Sequence, residues 1–263
     1  MKLNNQKDHY SYLSPGWLNK PENVQAYTTL ITGGFSTGDY SQYNLAVHVG
    51  DDLQAVKANR TKLVEDLGLP SEPVWLEQVH SNKVILADEK TVLPASDIEA
   101  SQSFVQADAS ISRTKGVVCA VLTADCLPVF FCNRSGTEVA IAHAGWRGLH
   151  AGIISNTVKT MQSSAEEILV SLGPAIGVKA FEVGKEVFHA FVDENRENES
   201  AFVKTRKHHY LCDIYQLARI ELQSVGVTQV AGENYCTYSE DQRFYSYRRQ
   251  RNTGRMASII WLI

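Results

Sequence analysis

Three apolar segments follow one another between Gly116 and Ala142: Gly116 to Leu122, Leu127 to Cys132 and Glu138 to Ala142, with no room for a helix between them. Parallel neighbours in one sheet need a crossover of a dozen or more residues, so segments this close pair antiparallel or belong to different sheets. That disfavours a purely doubly wound parallel sheet. Further strand-like runs lie at Val74 to Val79, Val84 to Ala87, Ile168 to Leu172 and Ala257 to Leu262. Asp51 and Asp52 can cap a helix whose Val56, Leu63, Val64 and Leu67 follow helical spacing, and Gly68 and Pro70 stop it. Helices are also predicted from Gly148 to Met161, from Lys179 to Val192 and from Asp213 to Val225, before Gly226. The expectation is a single α+β domain over residues 1–263 with mixed, largely antiparallel sheets, residues 1–20 forming a peripheral N-terminal segment.

A chain of 263 residues with 44% hydrophobic residues can bury about 70–75% of its unfolded surface without disulfides. Five cysteines, an odd number, point to reduced thiols and a cytoplasmic location. The formal charge of -4 argues against nucleic acid as a partner. No apolar leader follows Lys2, and the most apolar stretch, Gly116 to Cys132, is broken by Thr123, Asp125 and Pro128, so no membrane association is expected. The acidic stretch Asp193 to Ser200 reads as a solvated helix end.

The second and third apolar segments form a hairpin if Asn133-Arg134-Ser135-Gly136 makes the turn. Pairing Cys132 with Thr137 and carrying that register back places Cys126 opposite His143. Cross-strand neighbours have Cβ atoms about 4.5–5.5 Å apart, close enough for a sulfur and a ring nitrogen to share a metal. The inference depends on register, because a one-residue slip sends the two groups to opposite faces. His80 ends a strand-like run and could complete the set only through tertiary folding; spacing does not select it. His9, His208 and His209 sit in polar surroundings and read as exposed. Without a metal, the plain reading of the hairpin is a core element with one packed thiol.

The flanks favour a site. Ala142-His143-Ala144-Gly145-Trp146-Arg147-Gly148 sets small residues around a histidine just before a helix, where backbone and ligand can approach closely. Farther on, Arg243, Arg248, Arg249, Arg251 and Arg255 crowd with Phe244, Tyr245 and Tyr247. The segment is short and the chain acidic, so contact with a phosphate or carboxylate fits better than nucleic acid.

Four separated motifs, Leu76-Glu77-Gln78-Val79-His80, Thr123-Ala124-Asp125-Cys126-Leu127-Pro128-Val129, the His143 segment and Phe244-Tyr245-Ser246-Tyr247-Arg248-Arg249, resemble the YfiH-like family. Its labels include laccase-like multicopper polyphenol oxidoreductase, purine nucleoside phosphorylase and peptidoglycan editing factor. Asn44-Leu45, Val49-Gly50-Asp51-Asp52, Gly173-Pro174-Ala175-Ile176-Gly177 and Gly254-Arg255-Met256-Ala257 extend the likeness over about residues 28–263. The resemblance implies a single-domain four-layer α/β/β/α sandwich like that of the cytotoxic necrotizing factor-like cysteine hydrolases. It also implies zinc on His80, Cys126 and His143, with copper as the other candidate ion. The activities it implies are phosphorolysis of adenosine, inosine, guanosine and methylthioadenosine, and deamination of adenosine. In one respect the chain departs from the family: Leu30-Ile31-Thr32 precedes Gly33-Gly34, where relatives usually carry Thr-Arg.

Three protein ligands leave a fourth position open, the pattern of catalytic zinc. For deamination, the expected roles are an acidified water as nucleophile and Asp125 as proton shuttle. For phosphorolysis, the anion would meet the helical turn near Gly148 with Arg147 and Arg248 or Arg249, and Asn44 joins these as a substrate-binding candidate. The small-molecule partners are then purine nucleosides and inorganic phosphate, with no obligate protein partner. Three alternatives remain: a Cys126/His143 amide hydrolase acting on cytosolic peptidoglycan precursors, a copper-loaded polyphenol oxidase, and a metal-binding scaffold without catalysis.

Overall fold

The computed structural model describes residues 11–92, 104–232 and 235–263. Its strands, in chain order, begin with β1 (Tyr12–Leu13), β2 (Val24–Thr29), β3 (Leu76–Glu77), β4 (Val84–Leu86) and β5 (Val105–Gln106). They continue with β6 (Ala109–Ser112), β7 (Cys119–Thr123), β8 (Leu127–Asn133), β9 (Val139–Ala144) and β10 (Ile168–Leu172). The last are β11 (Glu182–Gly184), β12 (Phe202–Arg206), β13 (His209–Cys212), β14 (Gln229–Ala231) and β15 (Met256–Leu262). The helices are α1 (Leu53–Leu67), α2 (Trp146–His150), α3 (Ile153–Thr160), α4 (Lys185–Val192) and α5 (Ile214–Ser224).

Two sheets carry the fold. One runs β1-β2-β15-β7, antiparallel throughout; the other runs β14-β10-β8-β9-β6-β4, with parallel pairs only at its two edges. Alternation along the strands explains why they read as unbroken apolar runs. On β8, Phe130 and Cys132 join the core shared with Val121, Ile260 and Leu262 of the other sheet, while Leu127, Val129 and Phe131 face the opposite way, onto α3 and α5. On β15, Ile260 and Leu262 face the inter-sheet core, while Ala257, Ile259 and Trp261 pack with Leu63 of α1. Each strand is thus apolar on both faces. The result is a mixed α/β fold with several sheets.

Helix α1 begins at Asp52, whose carboxylate accepts from the Gln54 N–H at 3.1 Å, and ends on Gly68 at φ 57°, as its caps predict. The helix expected from Gly148 to Met161 is instead two helices, because Gly152 adopts φ 84° and breaks the ladder between them. The helix expected from Lys179 starts only at Lys185, since Glu182–Gly184 pair with β13 as β11. Among residues 1–20, expected to be peripheral, residues 1–10 with His9 lie outside the described residues. The remainder is packed: β1 pairs with β2, Trp17 meets Phe130 edge-on, and Ser171 Oγ donates to Gly16 O at 2.8 Å.

Candidate active site

The β8–β9 hairpin turns one residue later than the sequence suggests. Asn133 Oδ1 accepts from the N–H groups of Thr137 and Glu138 at 2.8 and 3.2 Å, so Asn133 closes the strand and the loop is Arg134 to Thr137. Cys132 therefore pairs with Val139 rather than Thr137, and His143 stands opposite Pro128 rather than Cys126. The slip is two residues in pairing, an even number. Cys126 and His143 keep the same face and still converge. Asp125 at φ 93° turns the chain into β8, and the Cys126 thiol lies against Gly145, where a Cβ would come within 2.8 Å of the sulfur.

The third side chain, His80, arrives from the turn after β3 at φ 59°. What brings it in is Asp108, a residue the sequence reading missed. Asp108 continues β6 toward β9, and its carbonyl accepts the His143 N–H at 2.7 Å. Its buried carboxylate accepts from the backbone N–H groups of Val79, His80 and Ser81 at 3.3, 3.0 and 2.6 Å, from Ser81 Oγ at 2.7 Å, and contacts His143 Nδ1 at 2.9 Å. One carboxylate thus fixes the turn that bears His80 and the ring of His143. Gln78 adds a clamp, with its amide accepting from Leu122 N at 2.7 Å and donating to Leu122 O at 2.8 Å.

His80, Cys126 and His143 have their ligand atoms all within 4.8 Å of one another, and Cys126 Sγ is 3.9 Å from His80 Nε2. Donors bound at about 2.0–2.3 Å to one tetrahedral ion lie roughly 3.5–3.8 Å apart, so only a small contraction is needed. Asp108 holds His143 by Nδ1 and leaves Nε2 for a metal, the usual carboxylate–histidine support of such ligands. Two imidazoles and a thiol suit zinc or copper, and this donor set fits a metal. Without one, burial pushes the Cys126 thiol up, but the charge of His143 and contacts with both imidazoles outweigh it and bring it down to about 6. Burial likewise pushes His143 down, but the Cys126 thiolate and Asp108 reverse this and raise it to about 9. Burial raises Asp108 as well, yet its hydrogen bonds from His143 and Ser81 leave it below the ordinary carboxylate value.

The three residues stand in the wall of a cavity of about 410 Å³, within the range of small-molecule sites. Leu122, Trp146, Ile176, Phe181 and Tyr247 supply apolar surface; His48, Arg147, Arg248 and Arg255 supply polar and cationic surface. The expected site residues divide. Asp125 lines the cavity, but one carboxylate oxygen accepts from Thr237 Oγ1 at 2.6 Å and the other from the Arg248 N–H at 2.7 Å, tying two loops together. Arg147 is exposed and stacks over Trp146 at 4.3 Å, on a helix only five residues long. Arg248 Nη1 donates to Glu182 O at 3.0 Å. Arg249 is not in the cavity wall: its guanidinium donates to the carbonyls of Thr237, Tyr238 and Phe244. Asn44 is also outside the wall, buried, with its amide bound to Ala46, Asp51 and the Arg255 N–H. The sequence named Arg255 only as one of five crowded arginines suited to a phosphate or carboxylate, and gave no signal for His48; both line the cavity.

Residues 25–263 match the protein family described as multi-copper polyphenol oxidoreductase laccase. The chain is 50% identical over 249 residues to the protein named purine nucleoside phosphorylase YfiH of Escherichia coli, covering 95% of this chain and 98% of that one. It is 48% identical over 253 residues to a protein of Pseudomonas aeruginosa also named purine nucleoside phosphorylase, covering 96% and 98%. A crystal structure from Neisseria meningitidis, of the family DUF152, superposes with a TM-score of 0.87 at 45% identity, covering 96% of this chain and 99% of that one.

Proposed function

The chain belongs to the multi-copper polyphenol oxidoreductase (YfiH-type) family, and on that premise we propose that it is a zinc-dependent purine nucleoside phosphorylase. The observation that carries this reading is the convergence of His80, Cys126 and His143 in the wall of a cavity lined by both aromatic and cationic side chains. Zinc held there supplies Lewis acidity to a group bound in the cavity. Trp146, Phe181 and Tyr247 offer flat apolar surface to a purine, and the arginines offer charge to phosphate. In the reaction, a phosphate oxygen bonds to ribose C1′ and the bond from C1′ to the purine nitrogen breaks. Its electron pair leaves with the purine, and the proton lost by the phosphate hydroxyl balances the one the purine takes up. Asp125, with both oxygens engaged, acts as a positioning residue between the Cys126 loop and the Arg248 loop rather than as a proton shuttle.

Adenosine, inosine, guanosine and methylthioadenosine are the substrates of this reading, with adenosine deamination as a second activity and the cytoplasm as its place. The layers support the four-layer sandwich: α1 packs on one face of the first sheet, the two sheets share a core, and α2 to α5 cover the far face of the second. No helix among the described residues is long and apolar enough to cross a membrane. The test is incubation of the purified protein with each nucleoside, with and without phosphate. Free base released only with phosphate supports phosphorolysis; no base from any of the four rejects it.

A second reading has its own observation. The lowered Cys126 thiol and raised His143, oriented by Asp108, form a thiolate–imidazolium pair suited to amide hydrolysis of peptidoglycan precursors. Iodoacetamide inactivation of metal-free protein favours it; inactivation by a chelator favours the metal enzyme. The same donors also accept copper, the ion of a laccase-like oxidase.

A further inference from the structure

Among the cationic side chains of the cavity, Arg255 is the one the fold holds partly buried, whereas His48, Arg147 and Arg248 are exposed. Its backbone N–H donates to Asn44 Oδ1 at 3.0 Å and its carbonyl accepts from Leu45 N at 3.4 Å. Its Nη1 donates to Thr253 O at 2.8 Å and Gly254 O at 2.9 Å. Gly254 is itself wedged, since a Cβ there would sit 2.6 Å from the Tyr245 ring. The guanidinium is therefore pinned through one nitrogen, partly buried, in the wall that also holds His80, Cys126 and His143.

Its other edge is free. Nε and Nη2 make no hydrogen bond, and no carboxylate lies within ion-pair distance among the described residues, whereas Arg113, Arg206 and Arg243 each pair with a glutamate. The remaining arginines of the region are less suited. Arg249 is spent on three carbonyls, Arg147 is exposed against Trp146, and Arg248 is exposed and donates to Glu182 O. Burial disfavours the Arg255 charge more than Cys126 and Asp125, which act on it without bonding it, support that charge, and an incoming anion on the open edge offsets this cost. The Nε–Nη2 edge is the fork that meets two oxygens of a phosphate or carboxylate side-on, a geometry lysine cannot copy.

We propose that the Nε–Nη2 edge of Arg255 is the oxyanion subsite of the cavity, flanked by His48 and Arg248. Its identification with inorganic phosphate rests on the phosphorylase reading; the subsite itself does not. Arg255→Lys keeps the charge and removes the fork, and Arg255→Gln removes the charge but keeps a donor for the Thr253 and Gly254 carbonyls. Both are compared with wild type for binding of inorganic phosphate by calorimetry without nucleoside, for phosphate and nucleoside KM, and for bound zinc.

The expected result is a loss of phosphate affinity and a rise in phosphate KM of tenfold or more in both variants, with zinc content and nucleoside KM within about twofold of wild type. Unchanged phosphate binding and KM in both variants overturns the subsite and leaves the phosphorylase reading standing. Phosphate binding that depends on Arg255 in a protein that splits no nucleoside supports the subsite and rejects the phosphorylase reading. If neither variant folds, a phosphate-soaked crystal of wild type decides: phosphate on the Arg255 fork supports the subsite, and phosphate elsewhere in the cavity overturns it.

Discussion

Asp108 shows how one buried side chain can set a site without touching the ligand. Removing its charge while keeping its size tests this: Asp108→Asn should lower zinc affinity about 10–100-fold, measured by chelator competition, with the fold intact by circular dichroism. Unchanged affinity would mean that the Val79 to Ser81 turn holds His80 without it. Gly145 offers a complementary test. A methyl group there would meet Cys126 Sγ at 2.8 Å and His80 Cδ2 at 3.0 Å, so Gly145→Ala should abolish stoichiometric zinc while leaving the core untouched. Full zinc in that variant would contradict the packing. Cys126 and His143 were legible from hairpin geometry, and His80 only through family resemblance, because no spacing rule links a turn residue to a hairpin 46 positions away. Asp108 was not legible. Its strand, in which Ser110 and Ser112 alternate with Ala109 and Ile111, resembles a half-exposed segment, yet both serines are fully buried. Asn44 and Arg249 read as binding residues from their types, but the folded chain turns their polar atoms onto its own backbone and, for Asn44, onto the Asp51 carboxylate as well.

At the scale of elements, turn chemistry decided what periodicity could not. The hairpin strands were found, but the pairing depended on Asn133 folding its amide over Thr137 and Glu138, a local hydrogen bond that outweighs the simplest four-residue turn. Helix α1 was legible because both its caps are written in sequence, whereas the Gly152 break was not, since a glycine inside an amphipathic stretch is tolerated as often as it breaks one. Contact between α5 and α3 carries a pH prediction. Glu221 accepts from Ser155 N and Oγ, both at 2.9 Å, and burial pushes its carboxyl up to about 7. Its folded value exceeds its unfolded one, so the native state holds a proton that the unfolded chain releases. The stability this provides is full below about pH 4.5 and is lost as pH rises through about 7. Glu221→Gln keeps the acceptor without the charge. Relative to wild type, it should gain about 3 kcal/mol, or roughly 6–12 °C in Tm, between pH 4.5 and pH 8. A wild-type-minus-variant difference that does not change with pH would contradict this.

At the scale of the molecule, the two-sheet core brings together segments that are remote in the chain. His80 follows β3, Cys126 precedes β8, His143 lies in β9 and Arg255 precedes β15, so one end of the stacked sheets holds all four. The mixed architecture and seven of the fifteen strands among the described residues, β3, β4, β7 to β10 and β15, were legible from apolar runs. The small sheet β11-β13-β12 was not, because its strands are short and, in β12, largely exposed. A metal bound only by the assembled ends of the sheets must stabilise the whole fold. Saturating zinc at about 100 times its Kd should raise stability by roughly 2.7 kcal/mol, and chelation should reverse it, as thermal unfolding would show. The most direct measurement of the central claim takes wild type and the His80→Ala, Cys126→Ala and His143→Ala variants through metal analysis and incubation with adenosine, with and without phosphate. Near-stoichiometric zinc and phosphate-dependent release of adenine are expected in wild type, with both lost in all three variants. Full activity in metal-free wild type, or zinc retained by the variants, would contradict that claim.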